Sequence, residues 1–427
     1  MSRRRRFRLN LPFLSAIAIF VLIVAVYIGI GVAFAAFAPK RIGVPHDLKL
    51  AFIARALDAT VAVWFFAVGA SIGSFLNVVA YRLPLGRTLG GHSACPFCCA
   101  TIAPADNIPV LAWLRLRGRC RNCRLPISIQ YPLVELGVGL VFLSVYFIEF
   151  AVGGSNLPGS AAAPAGIGLV WTFVTQTLAI RVLLFVIVLS GLIAAALMVA
   201  RNGKPPLTLF VWILFAVAVG GLIAPSAVIV PWWHRLPRSW PGGFAWLPSL
   251  LTLVLGLAAG LLTAAVTQPF FRRYPNKLAW YGVSACVGVL LGWQAVTSAM
   301  CCVLIVSLIG SVTVRAVLRR WPAGQVPAVQ RERFLWLGDP VVWAWLGVIV
   351  FRANWKSIDR LSHEPGSSSP WLMVALSALA TIPLAWLVGW LAASHPDRLE
   401  VDSSIDTPPP GQCPVNADTS VVECTED

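Results

Sequence analysis

The sequence predicts an all-α polytopic membrane protein of about ten transmembrane helices, with a small cytoplasmic loop domain built on four cysteines. Three observations predict it. Hydrophobic residues make up 58% of the 427 and charged residues only 12%, with a mean hydropathy of +0.80. That is too little polar surface for an ordinary soluble enzyme. Successive apolar runs reach the roughly 20 residues needed to cross a bilayer. The formal charge of +16, from 33 Lys+Arg against 17 Asp+Glu, gathers in the loops between runs. It reads as positive loops on the cytoplasmic side and not as a nucleic-acid footprint.

The chain opens MSRRRRFR and then runs apolar from Leu11 to about Pro39. This suits a signal-anchor helix with its basic end in the cytoplasm, and the small residues of AFAAFA leave a cleaved signal as the alternative. Residues 1–50 are thus an anchor and its connection. A second span runs from about Ala51 to Tyr81, and its Gly69, Ala70, Ser71, Gly73 and Ser74 invite close approach by another helix. A polar segment, 82–130, and a third span to about Phe150 complete a unit over 51–150. A loop rich in Gly, Ser, Ala and Pro follows. The remaining spans are expected at about 177–200, 207–230, 246–270, 278–296, 297–317, 337–351 and 371–393, within a helical membrane domain 151–394. Alternating them places the basic loops 201–204, 272–277 and 315–333 inside, together with both termini. The acidic tail 395–427, rich in Pro and Ser, reads as disordered. No inverted half-repeat of the transporter kind is visible, which counts against a transporter.

The polar segment 82–130 carries the chemistry. Cys95/Cys98 and Cys120/Cys123 form two C-x-x-C pairs with twenty-one residues between them. Each pair can turn two thiolates toward one point, and two such turns complete a tetrahedral zinc site. Four thiolates leave no open position for a catalytic water, so the ion would hold the loop together. Two disulfides or four unrelated thiols are the bland alternatives. Seven arginines against the single acid Asp106 place the segment in the reducing cytoplasm, which favours zinc over disulfides. Arg115, Arg117, Arg119, Arg121 and Arg124 crowd the second pair and are expected to favour its thiolate form. Cys99 and His92 stand close enough in sequence to be substitute ligands and read as bystanders. The basic loop fits anionic headgroups or a partner's cytoplasmic domain equally well.

Ionisable residues within spans are few. Asp58 and Glu149 fall near expected interfaces, where solvation would account for them; Arg181 lies in the fourth span. Glu135 stands one helical step inside the membrane, next to the cysteine loop. It could pair with Arg82 or a loop arginine, either as a structural lock or as a substrate-binding group. The pair Asp106-Asn107 before Ile108-Pro109 is first a turn signal. Tryptophans near span ends, such as Trp232, Trp233, Trp240 and Trp246, fit an interfacial belt.

Taken together, GSFLNVVAYRLP at 73–84, the two cysteine pairs, ADNIPVLAWLRLRGRCRNC at 105–123 and PISIQYPLVELGVGLVF at 126–142 closely resemble the N-terminal domain of the prepilin peptidases, the type IV leader peptidases. The resemblance covers about seventy contiguous residues. Cys99 stands where the family usually has Gly, and Ala112 where Ser is common. The resemblance implies a bacterial inner-membrane enzyme that removes leaders from type IV prepilins and type II secretion pseudopilins. It also implies N-methylation of the new terminus from S-adenosylmethionine. It implies prepilin-like proteins and the secretion or pilus assembly platform as partners, with no nucleic acid. It sets Asp106, Asn107 and Glu135 in the part of the family associated with methylation.

The family's cleavage uses two aspartates in its C-terminal half, one in a stretch before Leu-Pro-Asp and one in Gly-x-Gly-Asp. Two neighbouring acids can share a proton, so one activates water while the other protonates the leaving group, which no neutral side chain replaces. Here no Asp or Glu occurs between Glu149 and Glu332, an interval of 182 residues. The first location reads LIAAALMVARNGKPPLTL at 192–209, and the second reads KLAWYGVSACVGVLLGWQ at 277–294. The peptidase half is therefore expected to be degenerate and the chain a pseudoenzyme. A replacement pair, Glu332 with Asp339 of WLGDP, is the only other candidate dyad, and its context is that of a helix entry.

Overall fold

The computed structural model describes residues 11–37, 47–91, 93–95, 97–157, 176–201, 203–228, 246–271, 276–320, 339–361 and 370–393. Among these residues the protein is almost wholly helical, without strands longer than single bridges. Eleven α-helices occur: α1 Leu11–Phe37, α2 Leu48–Arg82, α3 Leu111–Leu116, α4 Gln130–Val145, α5 Gln176–Ala200, α6 Leu207–Ile223, α7 Trp246–Thr267, α8 Lys277–Leu291, α9 Trp293–Arg320, α10 Pro340–Leu361 and α11 Pro370–Ala393. All but the six-residue α3 coincide with an expected span. Seven are long and apolar enough to cross a membrane. Of the other three, α6 and α8 are apolar but shorter, and α10 carries Arg352 and Lys356. The tail, the loop 158–175, Trp232, Trp233 and Trp240 lie outside the described residues.

Small residues decide how closely these helices approach. On α2, a Cβ on Gly69 would stand 2.6 Å from Phe142 Cβ, and one on Gly73 would stand 2.9 Å from Glu135 Cα. These positions seat α4, while Ser71 faces outward and donates to its own helix at Ala67. The α7–α8 crossing is closer still. Gly256 and Gly260 meet Gly288 and the Ser284 carbonyl, and a Cβ on Gly288 would lie 2.1 Å from the Gly256 oxygen. Backbone therefore packs on backbone, as in small-xxx-small crossings of membrane helices.

The same contacts fix direction. Helix α1 runs against α2, with Gly31 beside Arg55, and α2 runs against α4. At the end of α5, Arg201 reaches Asn77 near the end of α2, so these two are parallel. Then α6 opposes α5 (Gly191 on Ile213, Gly220 on Leu184), α7 opposes α6 (Gly221 on Leu253), and α8 opposes α7. Next, α10 opposes α9 (Gly347 on Val303). Gly389 of α11 meets the Phe270 carbonyl just past α7. The ends of α2, α5, α7 and α11 therefore share one face of the bundle, the face bearing the cysteine loop.

Two acids depart from the expected interfacial solvation. Asp58 is 4% exposed and accepts hydrogen bonds from the hydroxyls of Tyr27 and Tyr146, with Arg55 at 3.7 Å. Glu149 is fully buried and paired with Arg352, itself 1% exposed. The Arg352 guanidinium lies 4.9 Å over the ring of Phe185. The third span closes in a π turn at Tyr146–Phe150, where Ala151 N–H donates to the Tyr146 carbonyl. Tyr146 and Glu149 continue the inward face of Val138, Phe142 and Val145, all of them buried. Buried charges are tolerated because they are paired.

Candidate metal centre

The loop between α2 and α4 is held by two turns of the same design. At Cys95 the backbone N–H donates to Ala100 (3.0 Å), and Cys99 N–H returns to the Cys95 carbonyl (3.0 Å). At Cys120 the N–H donates to Leu125 (2.9 Å), and Arg124 N–H returns to Cys120 (3.1 Å). Ile102 donates to Ser93 and Ile127 to Gly118 at equivalent offsets, 2.8 and 2.7 Å. Bridges pair Ala94 with Thr101 and Arg119 with Pro126. The fifth residue of each turn is left-handed, Cys99 at φ 55 and Arg124 at φ 60. That is uncommon outside glycine and imposed here by the turn on both copies. Cysteines with two residues between them on such a turn aim both sulfurs to one side.

The two turns face each other. Cys95 Sγ lies 3.8 Å from Cys123 Sγ, and Cys98 Sγ lies 3.9 Å from Cys120 Sγ. All four sulfurs fall within 4.8 Å of one another. A tetrahedral ion with thiolate bonds of about 2.3 Å separates its sulfurs by about 3.8 Å. The cluster thus fits a four-thiolate metal ion without rearrangement, and all four are free thiols. Cys99 does not join the cluster, and His92 lies outside the described residues. Burial raises the Cys95 thiol. At Cys120 burial is opposed and outweighed by the N–H groups of Cys123 and Asn122, which lower it. The neighbouring Cys95 and Cys123 thiols lower it further.

Two side chains brace the loop internally and a third ties it to α4. Asp106, 5% exposed, accepts from Arg115 and from Arg121, each at 2.5 Å. Chiefly through Arg121, and against burial, its carboxyl is held below the usual range. Trp113 of α3 donates to the Ile127 carbonyl (3.1 Å) and packs on Gly118. Glu135, 8% exposed, accepts from Val110 N–H at 2.7 Å. Its partners are thus the Val110 amide and the Ser74 hydroxyl, and neither Arg82, which donates to the Thr88 and Gly90 carbonyls, nor a loop arginine. Val110 has φ 61 and ψ −52, with Leu111 N–H on the Pro109 carbonyl at 2.6 Å. This is a γ-turn of the rare, strained hand, and the buried carboxylate holds it. No sequence signal marks it. Asn107 is exposed on the adjacent 3-10 turn.

The helical parts of the locations expected to hold a peptidase dyad, on α5 and α8, are closely packed. Along α8 every residue from Ala279 to Leu291 is buried except Tyr281. Trp280 fills its entry, donating to the Thr267 hydroxyl at 2.9 Å and stacking edge-on to Phe271. At the end of α5, residues Leu192–Val199 are apolar and largely buried, and the next polar residue is the cation Arg201 on Asn77. Asp339 is buried and accepts from Val341 N–H at 2.9 Å, which caps α10. Glu332 lies outside the described residues.

Known proteins resemble this chain over the same region and beyond. Residues 67–149 match the Bacterial Peptidase A24 N-terminal domain. A prepilin leader peptidase/N-methyltransferase of Myxococcus xanthus is 51% identical over 84 residues, covering 19% of this chain and 25% of that protein. Proteins of the same name match over more of their length. That of Pectobacterium carotovorum is 31% identical over 281 residues, 59% of this chain and 82% of the relative. That of Klebsiella pneumoniae is 32% identical over 248 residues, 54% and 86%. No solved structure matches the chain.

Proposed function

The chain belongs to the prepilin leader peptidase/N-methyltransferase family, and from that premise we propose that it is a pseudo-peptidase. On this reading it sits in the bacterial inner membrane with the cysteine loop in the cytoplasm. There it binds prepilins, pseudopilins or the assembly platform of a pilus or type II secretion system without cutting them. The observation that carries the reading is the 182-residue interval without a carboxylate. The close packing of α8 supports it, because a water-activating pair needs both acids and a wet site. The four thiolates hold zinc, which organises the loop and takes no part in hydrolysis.

A second reading keeps methyl transfer alone. The relatives' printed names include that activity, and the matched N-terminal domain, residues 67–149, spans the metal loop. Asp106, Asn107 and Glu135 are its candidate S-adenosylmethionine contacts. Asp106 and Glu135 are already engaged by Arg115, Arg121 and Val110, which gives this reading second place. Purified protein incubated with a prepilin, and separately with a pre-cut pilin and methyl donor, distinguishes the readings by mass spectrometry. Intact leader and no added methyl group is the expected result. An added methyl group favours the second reading, and leader removal refutes both.

A further inference from the structure

The metal loop carries more charge than its own contacts use. Between Arg82 and Gln130 there are seven arginines and one acid, a net of +6. Asp106 takes Arg115 and Arg121. Arg117, Arg119 and Arg124 are exposed, and among the described residues no carboxylate pairs with them. Their placement is not loose. Arg117 (φ 54) closes α3 and Arg124 (φ 60) closes the second cysteine turn. Arg119 lies in the bridge to Pro126. Three guanidiniums are therefore displayed on hydrogen-bonded turns, so the backbone that carries them is ordered in advance.

The opposite charge is at the other end of the same chain. Residues 394–427 contain eight carboxylates and one arginine, a net of −7. Helix α11 ends at Ala393 on the face that bears the cysteine loop, as the parallel course of α7 and α11 requires. Thirty-four residues correspond, at random-coil dimensions, to a root-mean-square reach of about 30 Å, which spans three or four packed helices at 8–10 Å spacing.

We propose that the acidic segment 394–427 docks on the arginine face of the four-cysteine loop, covering Arg117, Arg119 and Arg124 as a strap that any other acidic partner must displace. The inference is independent of whether the protein cuts or methylates. Each exposed pair contributes little alone, but the tether holds the strap at an effective concentration in the millimolar range. Salt weakens the contact because the pairs are solvent-exposed. The other basic loops of this face carry charge as well. The loop arginines are favoured because the cysteine turns fix them.

The test uses a fluorescent peptide of residues 394–427 and full-length protein in neutral detergent with a non-thiol reductant, read by anisotropy. A full-length variant with all eight tail carboxylates converted to amides should bind the peptide. Wild type should bind it about 10-fold more weakly, because its own tail competes from about millimolar effective concentration. Binding by the neutral-tail variant should vanish with Arg117→Gln, Arg119→Gln and Arg124→Gln combined, with metal content unchanged, and in about 0.5 M salt. Equal affinity in wild type and neutral-tail protein overturns the proposal, as does binding that survives the arginine changes. Should those changes disturb the metal, the comparison of wild type with neutral tail still decides. Peptide binding in phosphatidylcholine nanodiscs that disappears in phosphatidylglycerol nanodiscs makes lipid headgroups the occupant and likewise overturns it.

Discussion

Asp106→Asn tests how the metal loop is held. The carboxylate is 5% exposed and takes two guanidiniums, Arg115 at 15% exposure and Arg121 at 51%. The amide keeps its shape but loses the charge and turns an NH2 toward donors. A charge-assisted bond in the buried half is worth roughly 1.5–3 kcal/mol, and the half-exposed Arg121 pair about 0.5–1 kcal/mol. The latch therefore contributes about 2–4 kcal/mol to keeping Cys120 and Cys123 opposite Cys95 and Cys98. If half of this is lost before metal leaves, release to a chromophoric chelator accelerates about 10-fold. The Arg121 guanidinium first, and Arg115 after it, holds the carboxyl below its ordinary value. A group depressed in this way stabilises above its unfolded pKa, about 3.9, and loses its contribution only as pH falls through the folded value. The gap between wild type and variant should thus stay constant from pH 6 to 8. Release rates within about two-fold of each other across that range would refute the latch.

Other perturbations have defined outcomes. Cys120→Ser should abolish the approximately one metal ion per chain that elemental analysis of wild type is expected to find; retained metal would dissolve the four-thiolate assignment. Gly288→Ala should lower the thermal midpoint in detergent. Its Cβ would meet the Gly256 oxygen, at about 1–3 kcal/mol of overpacking, whereas helix propensity alone predicts a gain of about 1 kcal/mol. Arg352→Met should destabilise by roughly 3–5 kcal/mol by stranding Glu149, and adding Glu149→Gln should recover much of that. Equal midpoints for single and double variants would show that the pair is not coupled.

The sequence disclosed what depends on local pattern. Apolar runs located the ten long helices, because in a bilayer the backbone can satisfy itself only within the segment. The C-x-x-C spacing located the metal cluster, because each knuckle turn closes within a short local stretch, Ala94 to Thr101 and Arg119 to Pro126. What it concealed depends on partners far along the chain. Glu149 meets Arg352 two hundred residues away, and the π turn that carries it has no marker in YFIEF. Asp58 looked interfacial, yet Tyr27 and Tyr146 arrive from two other helices to bury it. Val110 reads as an ordinary apolar residue, and only the fold reveals that Glu135 holds it in a strained turn. Helix ends shifted for similar reasons: α10 runs on to Leu361, braced by Lys356 N–H on the Asn156 carbonyl and Lys356 Nζ on the Ser155 carbonyl.

The central claim is a family member with an ordered metal loop and no cleavage chemistry. Its most direct test is incubation of the purified, metal-replete protein with a prepilin in detergent, followed by mass spectrometry of the substrate. The account predicts prepilin that binds and keeps its leader, with wild type and Asp339→Asn indistinguishable. Leader removal by wild type would contradict it, and loss of that cleavage in Asp339→Asn would move the active acid to α10.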